Sequence, residues 1–206
     1  MIFNLKYILF SIFVGLLFRP VFSQFSEFNF DLSSKKINSS VFDSKGLFWI
    51  ATEEGLDMFD GNKIHSFQSI LSENNSLLNS EVKNIIEVDN NLLFIGKDGL
   101  SLFNRELFNY ERIKIPSPVS VVNDKQNKLI YFSTSNNGIY KMDYNFNILE
   151  NFKTDPLNPF SLSSNSFSES KRQKDFKALN NLSGDLVIGI NSTINVFNQK
   201  SSSFQR

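Results

Sequence analysis

Three observations predict an all-β chain, a partial β-propeller of about four four-stranded antiparallel blades. A pattern of buried-type strand, tight turn, second short strand and closing Asp or Asn occurs four times. The closing residues Asp60, Asn104, Asp143 and Asn198 lie 44, 39 and 55 residues apart, and a period in the forties with several strands per unit marks a propeller blade. Clusters of Gly, Asn and Asp fall where hairpins between those strands need them.

The elements follow in chain order. Lys6 precedes twelve nearly all apolar residues, Tyr7 to Phe18, which Arg19-Pro20 interrupts before Val21-Phe22-Ser23. A positive n-region, a short apolar run and small or apolar residues before Gln24 read as a signal peptide over residues 1–23. Propeller repeats then occupy 24–206, in units of approximately 31–70, 78–115, 117–155 and 174–206. In the first unit the strands are Ile37–Phe42, Leu47–Thr52, Leu56–Phe59 and Lys63–Phe67. In the second they are Val82–Val88, Leu92–Ile95, Leu100–Phe103 and Phe108–Ile113. The third and fourth units repeat the central pair as Lys128-Leu-Ile-Tyr131…Gly138…Asp143 and Asp185-Leu-Val187…Phe197-Asn198. The long last spacing has a visible cause in the polar run Ser168 to Lys174, read as a loop insertion. Its Lys171, Arg172 and Lys174 are a candidate anion patch or, more simply, a solvated loop.

Some positions recur from unit to unit. Trp49, Phe94, Tyr131 and Val187 are aligned as one large apolar position, best explained by packing between blades. Thr52 closes the strand after Trp49, and Gly55, Gly99 and Gly138 supply the turn before the third strand.

Composition narrows the function. The chain is 41% hydrophobic and 20% charged, too apolar for disorder, and Phe supplies 23 residues. Lys+Arg and Asp+Glu are 21 each, and removing the leader leaves about −2. A nucleic-acid partner needs a basic stripe that the sequence lacks. With no Cys, disulfides, thiolate metal sites and Cys nucleophiles are excluded, and a His-based relay would rest on His65 alone. There is no Gly-rich phosphate loop, G-x-S-x-G elbow or H-E-x-x-H. Glu53, Glu54, Asp57 and Asp60 crowd one unit and could form a carboxylate pair or Ca²⁺ site, but their context reads as solvated turn acids. No cofactor, metal or catalytic residue is assigned. For a ligand at one mouth of the propeller, Asn136, Asn137 and Tyr140 are candidate contacts.

The segment LFWIATEEGLDMFDGNKIHSF resembles the two-component regulator propeller repeat, a Gly-x-Leu-Trp-Ile-Gly-Thr strand followed by Gly-Leu and an aromatic-Asp pair. The loop TDPLNPFSLSSNSF is similar to that family's connection into the next blade. Later units are looser: Phe94 or Tyr131 replaces Trp, Lys97 replaces Thr, and Ser192-Thr193 stands where Gly is expected. The resemblance implies the N-terminal, periplasmic sensor region of a hybrid histidine kinase, truncated from a seven-bladed propeller and responding to a glycan. It further implies downstream blades and kinase domains on the same polypeptide, and a homodimer in full-length form. The alternatives are a secreted lyase- or lactonase-like propeller enzyme, or a non-catalytic adhesive propeller.

Overall fold

The computed structural model describes residues 31–167, 179–180, 185–190, 193–198 and 200–205. The expected leader and the polar run Ser168 to Lys174 lie outside the described residues. The described residues form one compact unit.

Among the described residues sixteen strands make four antiparallel meanders. Blade I holds β1 (Ile37–Phe42), β2 (Phe48–Thr52), β3 (Leu56–Phe59) and β4 (Ile64–Phe67). Blade II holds β5 (Val82–Val88), β6 (Asn91–Gly96), β7 (Gly99–Asn104) and β8 (Asn109–Lys114). Blade III holds β9 (Pro118–Asp124), β10 (Leu129–Thr134), β11 (Ile139–Asp143) and β12 (Ile148–Phe152). Blade IV holds β13 (Leu179–Asn180), β14 (Leu186–Ile190), β15 (Thr193–Asn198) and β16 (Ser203–Gln205). In the first two blades no strand bound differs from expectation by more than one residue. The first strands are innermost: β1 lies beside β5 and β5 beside β9. Asn38 Nδ2 donates to Val82 O at 2.9 Å, and Asn123 Nδ2 to Glu87 O at 2.9 Å, joining the first strands of adjacent blades. Among the described residues the sheets do not close into a ring.

The closing Asp/Asn has one task in all four blades: its Oδ1 accepts two backbone N–H groups of the turn into the fourth strand. The donors are Asn62 and Lys63 to Asp60, Glu106 and Leu107 to Asn104, Asn145 and Asn147 to Asp143, and Lys200 and Ser201 to Asn198, all at 2.8–3.0 Å. A short side-chain acceptor lets this turn close without help from outside it.

The turn glycines are explained by close approach. A Cβ on Gly55, Gly99 or Gly138 would lie 2.7, 2.1 or 2.0 Å from the carbonyl oxygen of Phe67, Ile113 or Phe152, the same place on each fourth strand. In blade IV the position is Thr193, and there the fourth strand pairs with β15 only from Val196 onward.

Three apolar layers fill the gaps between blades. Because strand side chains alternate, each blade has a leading face toward the next blade and a trailing face toward the previous one. Trp49 and Ala51 lead from blade I, while Leu92, Phe94 and Phe103 trail from blade II into the same layer. Leu93 and Ile95 lead from blade II against Ile130, Phe132 and Met142. Tyr131 leads from blade III against Leu186, Ile188 and Phe197.

This corrects one expected equivalence. Trp49, Leu93, Tyr131 and Val187 each stand two residues before the partner of the residue that follows Gly55, Gly99, Gly138 or Thr193, at Ala51↔Leu56, Ile95↔Leu100, Ser133↔Ile139 and Gly189↔Ile194. Leu93, not Phe94, is therefore the counterpart of Trp49, and Gly96, not Lys97, that of Thr52. A one-residue slip moves a side chain to the other face. Phe94 instead meets Trp49 across the gap, with ring centroids 5.8 Å apart. Trp49, Phe94 and Tyr131 are buried; Val187, on the leading face of blade IV, is half-buried.

A second repeated device ties each incoming connector to its blade. The residue two places after Gly55, Gly99 and Thr193 accepts a connector N–H: Asp57 Oδ2 from Ser33 at 2.9 Å, Ser101 Oγ from Leu78 at 2.8 Å, and Asn195 Oδ1 from Ser163 at 3.0 Å. In blade III Tyr140 occupies the position, and the connector residue after the buried Ile115 is Pro116, which has no N–H to offer.

Candidate functional site: the connector-end rim

The meander puts two kinds of loop at one end of every blade: the connector into the first strand and the turn between second and third strands. This connector end is an ordered polar rim. In blades I and III the N–H and Oγ1 of Thr52 both donate to Gly55 O at 2.9 Å, and those of Thr134 to Gly138 O at 3.0 Å. In blade II Asn79 and Asp98 bond reciprocally: Asp98 N donates to Asn79 Oδ1 at 3.0 Å, and Asn79 Nδ2 to Asp98 Oδ2 at 2.7 Å. A Cβ on Gly96 would lie 2.5 Å from that Asn79 oxygen, which accounts for the small residue there.

The blade III turn is stitched to connectors on both sides. Ser135 N donates to Ser117 O at 3.0 Å, Phe167 N to Ser135 O at 3.2 Å and Gly138 N to Asn165 O at 2.9 Å. Asn136 is exposed and accepts from Ser166 Oγ at 3.2 Å; Asn137 is half-buried, with its N–H on Thr134 Oγ1 at 2.9 Å. Glu54, Lys97 and Asp98 complete the exposed side chains of the blade I and II turns. The rim therefore offers amides, hydroxyls and mixed charge on a backbone already fixed by hydrogen bonds, which suits reversible recognition of a polar ligand.

The other sequence candidates are dispersed. Tyr140 belongs to the gap between blades II and III, stacked on Phe132 at 5.3 Å and 5° between planes, so it is removed from the rim. The four clustered acids separate. Glu53 pairs with Lys36 at the rim, and that hydrogen bond, with the accompanying charge, holds the Lys36 ammonium above its ordinary value. Asp57 is not a solvated turn acid; it is fully buried, with Ser33 Oγ and Ser66 Oγ each donating to Oδ1 at 2.6 Å. Asp60 lies at the opposite end, 2.8 Å from His65 Nε2. The amide of Lys63, then His65, then the amide of Asn62 hold its carboxyl well below the ordinary value. Among the described residues no group of three or more His, Cys, Asp or Glu could hold a metal ion.

The opposite end carries a buried charge network. Asp43 Oδ1 accepts from Lys45 N and Leu47 N at 2.9 and 3.0 Å, and its Oδ2 from Trp49 Nε1 at 2.9 Å. Arg105 of blade II reaches across the gap, with Nη1 3.0 Å from Asp43 Oδ2 as an ion pair and Nη2 donating to Glu87 Oε1 at 2.6 Å. Its Nε donates to Asn90 O at 2.7 Å. Burial alone would raise the Asp43 carboxyl, but the Trp49 indole, the Leu47 and Lys45 amides and Arg105 outweigh it and hold it below the ordinary value. At Glu87 burial is likewise outweighed, by the Ser44 hydroxyl and amide and by Arg105. Arg105 and Glu87 stood out by no sequence motif; their roles come from a contact across two blades.

No family model matches the sequence, and no curated protein matches it. Solved structures do. The extracellular domain assigned to the hybrid two component system BT3049 of B. thetaiotaomicron superposes with a TM-score of 0.58 at 17% identity, over 84% of this chain and 30% of that one. The extracellular domain of BT4673 from the same organism gives 0.64 at 17%, over 89% of this chain and 23% of that one. Apo AztD from Citrobacter koseri gives 0.56 at 15%, over 83% and 46%. What is shared is the fold. This chain spans less than a third of either two-component domain and under half of AztD.

Proposed function

We propose that the chain is the ligand-sensing propeller region of an exported two-component sensor, and that its ligand is an oligosaccharide bound at the connector-end rim. The observation that carries the reading is the arc of blades shared with two extracellular domains of two-component systems over 84% and 89% of the chain. The apolar leader supports a periplasmic place of action. The rim supports binding over catalysis: its amides and hydroxyls recognise hydroxyl-rich ligands, and the single imidazole, His65, lies at the far end beside Asp60.

The output is a histidine kinase on the same polypeptide, working as a homodimer. Ligand on the rim favours one arrangement of the paired sensors, and the signal equals its difference in affinity for the two arrangements. Calorimetric titration of the exported chain with a panel of neutral and sulfated oligosaccharides tests the reading. At least one saturable ligand is expected, weakened tenfold or more by Asn136→Ala. A panel without a binder, or a binder indifferent to the rim, would sink it.

A further inference from the structure

The first strands of blades I to III carry one extra residue each, at the same place near the connector end. In β1 the pair Ile37↔Thr52 is followed by Ser39↔Ala51, in β5 Val82↔Gly96 by Asn84↔Ile95, and in β9 Pro118↔Thr134 by Ser120↔Ser133. Asn38, Lys83 and Val119 are therefore repeated β-bulges. A bulge bends its strand and re-aims side chains, and bulges concentrate at sheet edges and beside functional sites.

A polar residue follows each bulge: Ser39, Asn84 and Ser120, all half-buried. Two places further on, Val41, Ile86 and Val122 pack into the layers on the leading sides of blades I, II and III. Strand alternation puts the polar row on the same leading faces, on the innermost strands just inside the rim. Asn84, in the middle of this row, is held as a donor. Its Oδ1 accepts from Ile85 N at 2.8 Å and from Ser39 Oγ of blade I at 3.1 Å. A backbone N–H can bond only the oxygen of a carboxamide, so these bonds fix which way the group is turned and leave Nδ2 on the other side. Ser39 and Asn84 are thus bonded across the first gap, whereas Asn84 Nδ2 and Ser120 Oγ, the same register pair of blades II and III, have no hydrogen-bond partner among the described residues. A fixed, half-buried and unpaired donor loses little freedom when a ligand oxygen replaces water on it. No formal charge lies in the row of Ser39, Asn84 and Ser120. That favours an uncharged, hydroxyl-bearing unit over a sulfate or carboxylate, whose desolvation needs a cation to offset it.

We propose that Asn84 and Ser120 form an anchoring subsite at the inner lip of the rim for one uncharged sugar unit, with Asn84 Nδ2 donating to a hydroxyl oxygen and Ser120 Oγ bonding a neighbouring hydroxyl. The assignment rests on the oligosaccharide reading of the rim and adds where the ligand is gripped and what charge the gripped unit carries.

Titration of the ¹⁵N-labelled exported chain with neutral saccharides and their sulfated counterparts, read on the side-chain amide signals by nuclear magnetic resonance, tests it. A neutral saccharide shifts the Asn84 amide signals saturably, and its sulfated counterpart binds no tighter. Asn84→Asp keeps an acceptor for Ile85 N and Ser39 but exchanges the Nδ2 donor for an oxygen. It should weaken calorimetric affinity about tenfold, the worth of one hydrogen bond, with circular dichroism and Trp49 emission unchanged. Ser120→Ala, which removes no hydrogen bond seen among the described residues, should weaken it about threefold. A saccharide whose binding falls with Asn136→Ala but not with Asn84→Asp or Ser120→Ala overturns the subsite and leaves the rim reading standing. Tighter binding of the sulfated form overturns the uncharged assignment. Asn84 signals unmoved by every saccharide overturn the subsite, whether or not a ligand binds elsewhere on the rim.

Discussion

Gly138→Ala probes why the repeat needs glycine, with Gly46→Ala as its control. Both glycines have positive φ, 75° at Gly138 and 82° at Gly46, so an L side chain costs roughly 1–2 kcal/mol at either from backbone strain alone. Their surroundings differ. A Cβ at Gly138 would lie 2.0 Å from Phe152 O and 3.1 Å from Phe152 C, whereas one at Gly46 would meet nothing within 4 Å. Relief requires β12 to move away from β11 by more than about 1 Å, breaking the Ile139↔Phe152 end of the ladder at about 1 kcal/mol per hydrogen bond. The expected loss is about 3 kcal/mol or more for Gly138→Ala and about 1 kcal/mol for Gly46→Ala. In a chain of this size these correspond to falls of about 6–12 °C and 2–4 °C in Tm. Urea and thermal unfolding, followed by far-ultraviolet circular dichroism and by Trp49, the single tryptophan, measure both. Equal destabilisation of the two variants would refute the close-approach argument and leave only backbone strain.

Further outcomes follow from the same geometry. Arg105→Met leaves the buried Asp43 and the half-buried Glu87 without their shared cation and costs about 3 kcal/mol, less than a fully stranded pair because the Trp49 indole and backbone amides remain. Both carboxyls are held low in the fold, so their stabilisation is complete above the unfolded value of about 4 and is lost as pH falls through the folded values; urea midpoints across pH should show this slope flattened in Arg105→Met. Asn195→Ala strands the Ser163 N–H and hydroxyl and costs about 1–3 kcal/mol by the same unfolding assay. Phe94→Ala shifts Trp49 emission to the red, whereas Leu93→Ala, which faces blade III, leaves the emission maximum in place; the reverse pattern would contradict the face assignment.

The sequence made the architecture legible because each blade carries its own punctuation. The Asx residues 60, 104, 143 and 198 cap a turn by themselves, and Gly55, Gly99 and Gly138 are forced by a carbonyl one strand away, so local chemistry marks every unit. What it concealed depends on which face a strand side chain takes. Phe94 matches Trp49 in kind, but the pleat places Leu93 in its stead, and aromatic character says nothing about pleat. Asp57 sits in a row of acids typical of a turn, yet the connector residue Ser33 arrives from 24 positions away to bury it. Tyr140 reads as a rim residue by its closeness to Asn136 and Asn137, and strand β11 turns it into the layer below. Of the rim, the positions of Asn136 and Asn137 are legible from sequence; the pairing of Asn79 with Asp98 is not, since it forms between a connector and a turn.

Hydrogen–deuterium exchange of the exported chain against each member of the oligosaccharide panel tests the sensing rim most directly. At least one saccharide should slow exchange in the turns 53–55, 97–98 and 135–138 while leaving the opposite turns 43–47, 105–108 and 144–147 unchanged. Protection confined to those opposite turns, or absent with every saccharide, would contradict a ligand site at the connector end.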